Sequence, residues 1–216
     1  MISIVTAGTG DFKMFYDHLK ESVIKQEYDF YPYDLGYLEE GKKFEGRVSH
    51  KANAKIPSKP AIIQDCMSNI NKNDYLVWMD ADTILLDKID EVEQDYDIAV
   101  TLRPPEYMDH NNPVNAGVLF FKKTKRTLDF LKNWSAICEK AESDQTELNK
   151  ILNLTNTDMG RTLVYRHNGK KQLSVKVFSC QNYNNYFFNE SQEKASILHF
   201  KTSLRKFHPA FINNKK

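Results

Sequence analysis

The hydrophobic and polar positions of the N-terminal third fall into blocks that predict strands followed by helices. ISIVTA is apolar and rich in β-branched residues, and GTGD ends it, which is typical of a strand and a turn. From Phe12 to Ile24 the apolar residues recur at helical spacing, with Asp11 at the position of an N-cap. YDFYPYDL predicts a second strand, and the polar, glycine-containing residues 36–57 predict a long loop.

The remaining blocks continue the alternation. SKPAIIQDCMSNI predicts a helix with Ser58 as its cap, and YLVWM, with five apolar residues in a row, predicts a strand buried on both faces. YDIAVTLR, AGVLFFKK, TLVYRH, SVKVFS and SILHF predict further strands, and TLDFLKNWSAICEKA and residues 143–152 predict helices. We therefore expect one α/β domain over residues 1–216, with a mostly parallel central sheet, flanking helices and a small antiparallel edge.

Composition narrows the possible functions. The chain has 216 residues with 30 basic and 29 acidic side chains, a balance that predicts no general attraction to nucleic acid. Three well-separated cysteines (Cys66, Cys138 and Cys180) predict buried thiols and not a disulfide framework. No apolar run approaches the roughly 18 residues of a membrane span, and MISIVTAGTG is unlike a signal peptide. We expect a cytoplasmic protein with no membrane span.

Two carboxylates, Asp80 and Asp82, follow the buried strand YLVWM directly. Ligands of open α/β sheets bind at the carboxyl ends of strands, and an extended backbone puts both side chains on one side. Two adjacent carboxylates repel each other unless a cation lies between them, and oxygen ligands suit Mg²⁺ or Mn²⁺. This spacing predicts a metal site, although a solvated turn after a strand is the alternative.

These stretches, taken together, resemble the landmarks of nucleotide-sugar glycosyltransferases with the GT-A (Rossmann-like) fold. DYLVWMDADTILL is similar to their metal-binding D-x-D motif, IVTAGTG to their nucleotide loop, and SKPAIIQDCM to the helix before the motif. NAGVLFFK resembles their sugar-pocket motif, ESDQTELNKIL the head of the next helix, and ILHFK the late histidine of glycogenin-like enzymes. These motifs occur in the same order as in that family and cover roughly residues 1–201. The whole chain looks like a small virus-encoded glycosyltransferase domain.

The resemblance implies a hexosyltransferase that uses Mn²⁺ (or Mg²⁺), a UDP-sugar donor and a glycan acceptor, such as one on a glycoprotein. It implies that Asp80, Asp82 and His199 bind the metal. The residues expected to contact nucleotide or sugar are Thr6, Ala7, Gly8, Lys59, Asp80, Ala81, Arg103, Asn115, Ala116, Gly117 and Lys201. In the glycogenin-like signature the late histidine is followed by Gly and Lys. Here no glycine matches, so Lys201 or Lys206 is expected to contact the diphosphate instead.

The catalytic group is expected in the stretch ESDQTEL. Asp144 is either the base of an inverting reaction or a helix cap, and in a retaining reaction Asp144 or Gln145 would stabilise an oxocarbenium-like transition state. Asp158 is the second candidate for the base. Core packing is the default for the aromatic residues around Asn184 and Asn185, with acceptor binding as the alternative.

Three other functions compete with this interpretation. A D-x-D phosphatase normally has Thr or Val four residues after its first Asp, where this chain has Ile84. A nucleotidyltransferase needs a glycine-rich start of the type G-x-G-x-R, which is missing here. A non-catalytic carbohydrate- or nucleotide-binding domain on the same fold is the third alternative, and the presence of the D-x-D motif (Asp80 and Asp82), Asp144 and His199 argues against it.

Overall fold

The centre of the molecule is an eight-stranded sheet whose strands, numbered in chain order with the ranges given below, lie in the spatial order 10, 11, 8, 9, 6, 1, 2, 3. The structure, a computed structural model, describes residues 1–9, 12–35, 42–43, 48–51, 54–71, 74–107, 112–167, 171–186 and 194–210. Its strands are β1 (Ile2–Gly8), β2 (Asp29–Asp34), β3 (Lys42–Lys43), β4 (Val48–Lys51), β5 (Ala54–Pro57), β6 (Tyr75–Met79), β7 (Thr83–Leu85), β8 (Ile98–Leu102), β9 (Val114–Lys122), β10 (Thr162–His167), β11 (Lys171–Ser179) and β12 (Ile197–His199). Its helices are α1 (Lys13–Lys25), α2 (Lys59–Met67), α3 (Lys125–Cys138), α4 (Asp144–Leu152) and α5 (Cys180–Tyr183).

Six strands of the sheet run in one direction, whereas β9 and β10 run the other way. This confirms the mostly parallel α/β sheet that the sequence predicts. One antiparallel strand lies at the edge as expected, but β9 lies in the interior, between β6 and β8. The carboxyl ends of β1, β6 and β8 therefore share one end of the sheet with the amino end of β9.

Both faces of the sheet are covered, which explains why β6 is buried at all five positions. Helices α2, α3 and α4 pack on one face in a cluster that includes Ile63, Trp134 and Leu148. Helix α1 packs on the other face with Leu19 and Val23, beside residues of β7 and β12. All three cysteines are buried free thiols, as predicted.

Two local predictions differ from the structure. Residues 36–57 were expected to form a loop, but strands β3, β4 and β5 lie within this range. These strands have two to four residues each, too few to leave a periodic pattern in the sequence. Asp11, the expected cap of α1, lies outside the described residues, and the N-cap position is Phe12.

Strands β7 and β12 form a separate antiparallel pair next to the sheet, with His199 opposite Thr83. This pairing joins the C-terminal part of the chain to the residues that directly follow β6. Within the part of the chain that the structure describes, no helix combines the length and apolar character needed to cross a bilayer.

Candidate active site

The turn that carries the two carboxylates is fixed by its own backbone. The carbonyl of Asp80 accepts hydrogen bonds from the Thr83 amide (3.0 Å) and from the Thr83 hydroxyl (2.7 Å). The Asp80 amide donates to the carbonyl of Gly117 at 2.8 Å, which ties the turn to β9. The side chains of Asp80 and Asp82 are therefore held at the end of β6.

His199 meets both carboxylates because β12 pairs with β7. Its Nε2 lies 3.2 Å from Asp82 Oδ1 and 3.9 Å from Asp80 Oδ2. One ligand atom from each of the three residues lies within 4.8 Å of the other two. The three predicted metal ligands are thus brought together, and two carboxylates with an imidazole form a donor set that fits a divalent cation such as Mn²⁺.

Asp82 is buried and meets two basic groups. Arg205 Nε donates to Asp82 Oδ2 at 2.8 Å, on the other side of the carboxylate from His199. Burial by itself would raise the pKa of Asp82, but the hydrogen bonds and charges of His199 and Arg205 outweigh it and hold that pKa at about 2. Asp82 is therefore a carboxylate over the whole physiological range.

Asp80 is anchored by residues that precede it in the chain. Its Oδ1 accepts hydrogen bonds from Lys59 Nζ at 2.8 Å and from Trp78 Nε1 at 2.7 Å. Lys59 also donates to the carbonyl of Ala116 at 2.6 Å. Burial alone would lower the pKa of Lys59, but the nearby carboxylates, Asp80 and then Asp144, raise it above the usual value. Lys59 is thus a largely buried, charged lysine between the D-x-D turn and β9.

Further positive charge lies beside this group. Burial first, and then the charge of Arg103, lower the pKa of Lys201 below its usual value. Arg103 is buried, and its guanidinium donates to the carbonyl of Asn112. Because Lys201 and Arg103 repel each other at this position, an anion bound beside them would be stabilised by both.

A cavity of about 250 Å³ opens beside the D-x-D turn, at the carboxyl end of β1. It is lined by Ala7, Gly8, Thr9, Phe12, Leu35, Asp80, Ala81, Asp82 and Arg205. Ala7, Gly8 and Ala81 were predicted to contact nucleotide or sugar. Thr6 is buried just below, and its hydroxyl has no hydrogen-bond partner among the described residues.

The sequence NAG forms an irregular part of β9. The register of β9 against β8 shifts between Val100 and Thr101, so Ala116 and its neighbours leave the ladder on that side. The Ala116 amide donates instead to Gln145 Oε1 at 3.1 Å. Asn115 is buried, its Oδ1 accepts from the Gly117 amide at 3.2 Å, and its Nδ2 has no partner among the residues that the structure describes.

Asp144 is the first residue of α4, and Ser143 is the N-cap, accepting from the Thr146 amide at 3.4 Å. Ser143, and not Asp144, therefore caps this helix. Asp144 Oδ1 accepts from the amide of Gln145 at 2.8 Å, and its charge extends to Lys59, whose pKa it raises. Asp144 therefore combines a place at the helix start with an electrostatic link to the candidate site.

Asp158 has a different position. Its Oδ2 accepts from the amide (2.8 Å) and the hydroxyl (3.0 Å) of Thr155. This is a capping box at the short 3₁₀ helix Asn156–Asp158. The carboxylate is used by its own turn and is outside the cluster of Asp80, Asp82 and His199.

Sequence reasoning missed several side chains that contact this cluster directly, among them Trp78, Arg205 and Asn184. Arg205, not Lys201 or Lys206, pairs with Asp82 and lines the cavity. Several basic residues follow His199 in the sequence, and only the fold selects among them. Asn184 accepts a hydrogen bond from His199 Nδ1 at 2.8 Å, and the surrounding aromatic residues gave no sign of this contact.

Comparison with known proteins identifies the family. Residues 16–214 match the family described as nucleotide-diphospho-sugar transferase. The chain belongs to this family. It is therefore a glycosyltransferase that takes its sugar from a nucleotide-sugar donor, and the phosphatase and nucleotidyltransferase alternatives are excluded. No sequence among the curated proteins matches the chain.

Solved glycosyltransferase structures share the GT-A fold. A glycosyltransferase involved in the glycosylation of the major capsid of PBCV-1 superposes with a TM-score of 0.65 at 17% identity, covering 96% of this chain and 98% of the other. GlyE of Streptococcus pneumoniae TIGR4 gives a TM-score of 0.60 at 14% identity, covering 94% of this chain and 56% of GlyE. The bifunctional glycosyltransferase WbbM gives 0.61 at 12% identity, covering 99% of this chain and 49% of WbbM.

Proposed function

We propose that this family member is a metal-dependent hexosyltransferase that moves a hexose from a UDP-sugar to a sugar hydroxyl of a glycan acceptor. The observation that carries the proposal is the group of Asp80, Asp82 and His199, with one ligand atom of each within 4.8 Å of the others. Cationic side chains flank this group at the end of the sheet where ligands of such folds bind. A cation beside a diphosphate suits that arrangement of charges.

The metal proposed here is Mn²⁺, with Mg²⁺ as the second choice. Oxygen ligands suit both ions, and the imidazole of His199 favours Mn²⁺ over Mg²⁺. When bound, the ion would supply Lewis-acid stabilisation of the negative charge that develops on the leaving diphosphate. Asp80, Asp82 and His199 would hold it.

The cavity beside the turn is proposed to hold the nucleoside, with Thr6, Ala7 and Gly8 on its β1 side. Positive charge from Lys59, Arg103, Lys201 and Arg205 would surround the diphosphate. Arg205 is in the most direct position, since it lines the cavity and already binds a carboxylate. In the ligand-free chain Arg205 and Lys59 neutralise Asp82 and Asp80, and a diphosphate with its cation would replace part of that pairing.

The hexose is proposed to lie against Asn115, Ala116 and Gly117. The buried Nδ2 of Asn115 supports this, because it has no partner among the described residues and a buried donor is costly unless a group such as a ligand hydroxyl accepts from it. Asp144 is proposed as the catalytic carboxylate, with Gln145 held on β9 by its bond to Ala116. A glycan on a glycoprotein is the proposed acceptor, supported by the capsid glycosylation named for the PBCV-1 relative.

The test is a panel of nucleotide sugars assayed for Mn²⁺-dependent hydrolysis and transfer, with and without a chelator. We expect turnover of one UDP-sugar that stops on chelation, and loss of turnover in His199→Ala. Asp17→Asn, at a surface position on α1 where Asp17 pairs with Lys13, serves as the matched control and should behave as wild type. Turnover that is unaffected by the chelator would contradict the metal assignment. Nucleotide binding without any transfer would favour the non-catalytic alternative.

A further inference from the structure

We propose that Asn184 and Gly117 are positioning residues that seat His199 so that its Nε2 faces Asp80 and Asp82. Asn184 would fix the position of the ring proton, and Gly117 would leave the space that the ring fills. The inference rests on the proposed function, because it gives both residues a role in holding a metal ligand. Neither residue would touch the metal itself.

The hydrogen bonds around Asn184 determine which of its amide atoms faces His199. Asn184 is fully buried, and one side of its amide lies 2.9 Å from the Thr101 hydroxyl oxygen and 3.2 Å from the carbonyl of Asn115. The carbonyl is only an acceptor, and the Thr101 hydroxyl donates its proton to that same carbonyl at 3.1 Å. Both groups therefore need a donor, which has to be Nδ2 of Asn184. The Oδ1 atom is left to face the imidazole.

This arrangement determines which ring nitrogen of His199 carries a hydrogen. His199 Nδ1 lies 2.8 Å from Asn184 Oδ1, which accepts only, so Nδ1 carries a hydrogen. In the neutral imidazole that a cation requires, the lone pair is then on Nε2, the nitrogen that faces the carboxylates. Metal-binding histidines usually donate their second ring N–H to a fixed acceptor, which sets ring orientation. A neutral amide serves that purpose here.

The His199 ring also explains why position 117 is a glycine. A Cβ at position 117 would lie 2.3 Å from His199 Cε1, 2.5 Å from His199 Nδ1 and 3.3 Å from Asn184 Oδ1. The φ angle of Gly117 is outside the left-handed region, so space and not backbone conformation requires glycine. The His199 ring therefore occupies the space that a side chain at position 117 would need.

The first experiment measures Mn²⁺ affinity in the presence of UDP, by the loss of the electron paramagnetic resonance signal of free Mn²⁺. Asn184→Leu removes the acceptor at nearly constant volume, and we expect the affinity to fall by about 10- to 100-fold. Asn184→Asp keeps an acceptor for Nδ1 but loses the donor to Thr101 and Asn115, so we expect a smaller fall in affinity than for Asn184→Leu. Asn185→Leu is the matched control, because Asn185 is equally buried and its amide donates to the carbonyl of Gln181.

The outcomes separate the inference from the function on which it rests. If the wild type does not bind Mn²⁺, the metal assignment fails. If the wild type and Asn184→Leu bind it equally, or Asn185→Leu weakens it as much as Asn184→Leu, the positioning role of Asn184 is overturned. Circular dichroism confirms that each variant is folded before its affinity is compared.

The second experiment needs no metal. The melting temperature of the metal-free protein is measured for Gly117→Ala, for His199→Ala and for the double variant. We expect Gly117→Ala to lower the melting temperature in the wild type and to lower it much less once His199→Ala has removed the ring. An equal fall in both backgrounds would show that His199 is not the reason for the glycine, whatever the outcome with Mn²⁺.

Discussion

Two turns at the carboxyl end of the sheet present aspartates in different surroundings. At Asp80 and Asp82, the carboxylates meet Lys59, Arg205 and His199, which come from three separate elements. At the 3₁₀ helix Asn156–Asp158, the aspartate is satisfied by Thr155, three residues away. All three aspartates were candidates from the sequence.

The difference shows that carboxylates at the same end of the sheet can have quite different partners. A locally capped aspartate stabilises its own turn and offers little negative potential to a ligand. A carboxylate that faces charges from distant elements is held in place by the whole fold, and a ligand cation can replace those charges. The following four predictions test this comparison.

Replacing Asp82 should have the largest effect. Asp82→Asn keeps the size of the side chain but removes the charge that a cation and Arg205 require. We expect Mn²⁺-dependent UDP binding to disappear in calorimetry and transfer to fall below detection, while circular dichroism shows a folded chain. Unchanged UDP affinity would place the metal elsewhere and remove the basis of the comparison.

Asp144 lies between the two cases, because it begins a helix yet acts on Lys59. Asp144→Asn should slow transfer by about 10²–10⁴-fold, the contribution of a general base or transition-state contact. Its melting temperature and UDP affinity should change little, because Ser143 is the cap. Ser143→Ala is the matched control: it should cost roughly 1 kcal/mol of stability and keep the transfer rate. Near wild-type transfer by Asp144→Asn would rule out Asp144 as the catalytic carboxylate.

Replacing Arg205 tests whether a residue that pairs with Asp82 also contributes to UDP binding. Arg205→Gln should weaken UDP binding roughly ten-fold, the lower end for a charged hydrogen bond, because the side chain is 41% exposed. Calorimetry in the presence of Mn²⁺ measures the effect. Lys206→Gln removes the same charge at the next position, which is exposed. Its UDP affinity should stay within about two- to three-fold of the wild-type value, the size of a surface charge effect. Equal losses in both variants would point to a general charge effect.

Asp158 should give the smallest effect on catalysis. Asp158→Asn weakens the capping box, so we expect the free energy of unfolding to fall by about 1 kcal/mol or less and the melting temperature by roughly 2–4 °C at most. The transfer rate should stay near that of the wild type. A large fall in transfer with unchanged stability would restore Asp158 as the candidate base and show that the two turns are functionally alike.

Much of the architecture could be predicted from the sequence. Long apolar runs such as Tyr75–Met79 and the periodic helix Lys125–Cys138 predict their own structure, because burial on a sheet or along a helix imposes a regular spacing. The short strands within residues 36–57 and the interior antiparallel position of β9 left no such pattern. Strand direction depends on partners elsewhere in the chain, which a local pattern does not encode.

The sequence by itself determined the α/β class, the D-x-D turn at the end of a buried strand and the set of residues able to bind a metal. Only the tertiary structure decided that β12 brings His199 to Asp82, that Arg205 is the basic residue beside it and that Ser143 caps α4. It also showed that Asn184 and Gly117 contact the His199 ring. The physical reason is that spacing reports which face a residue occupies, whereas a contact across more than a hundred residues depends on how distant elements pair and pack.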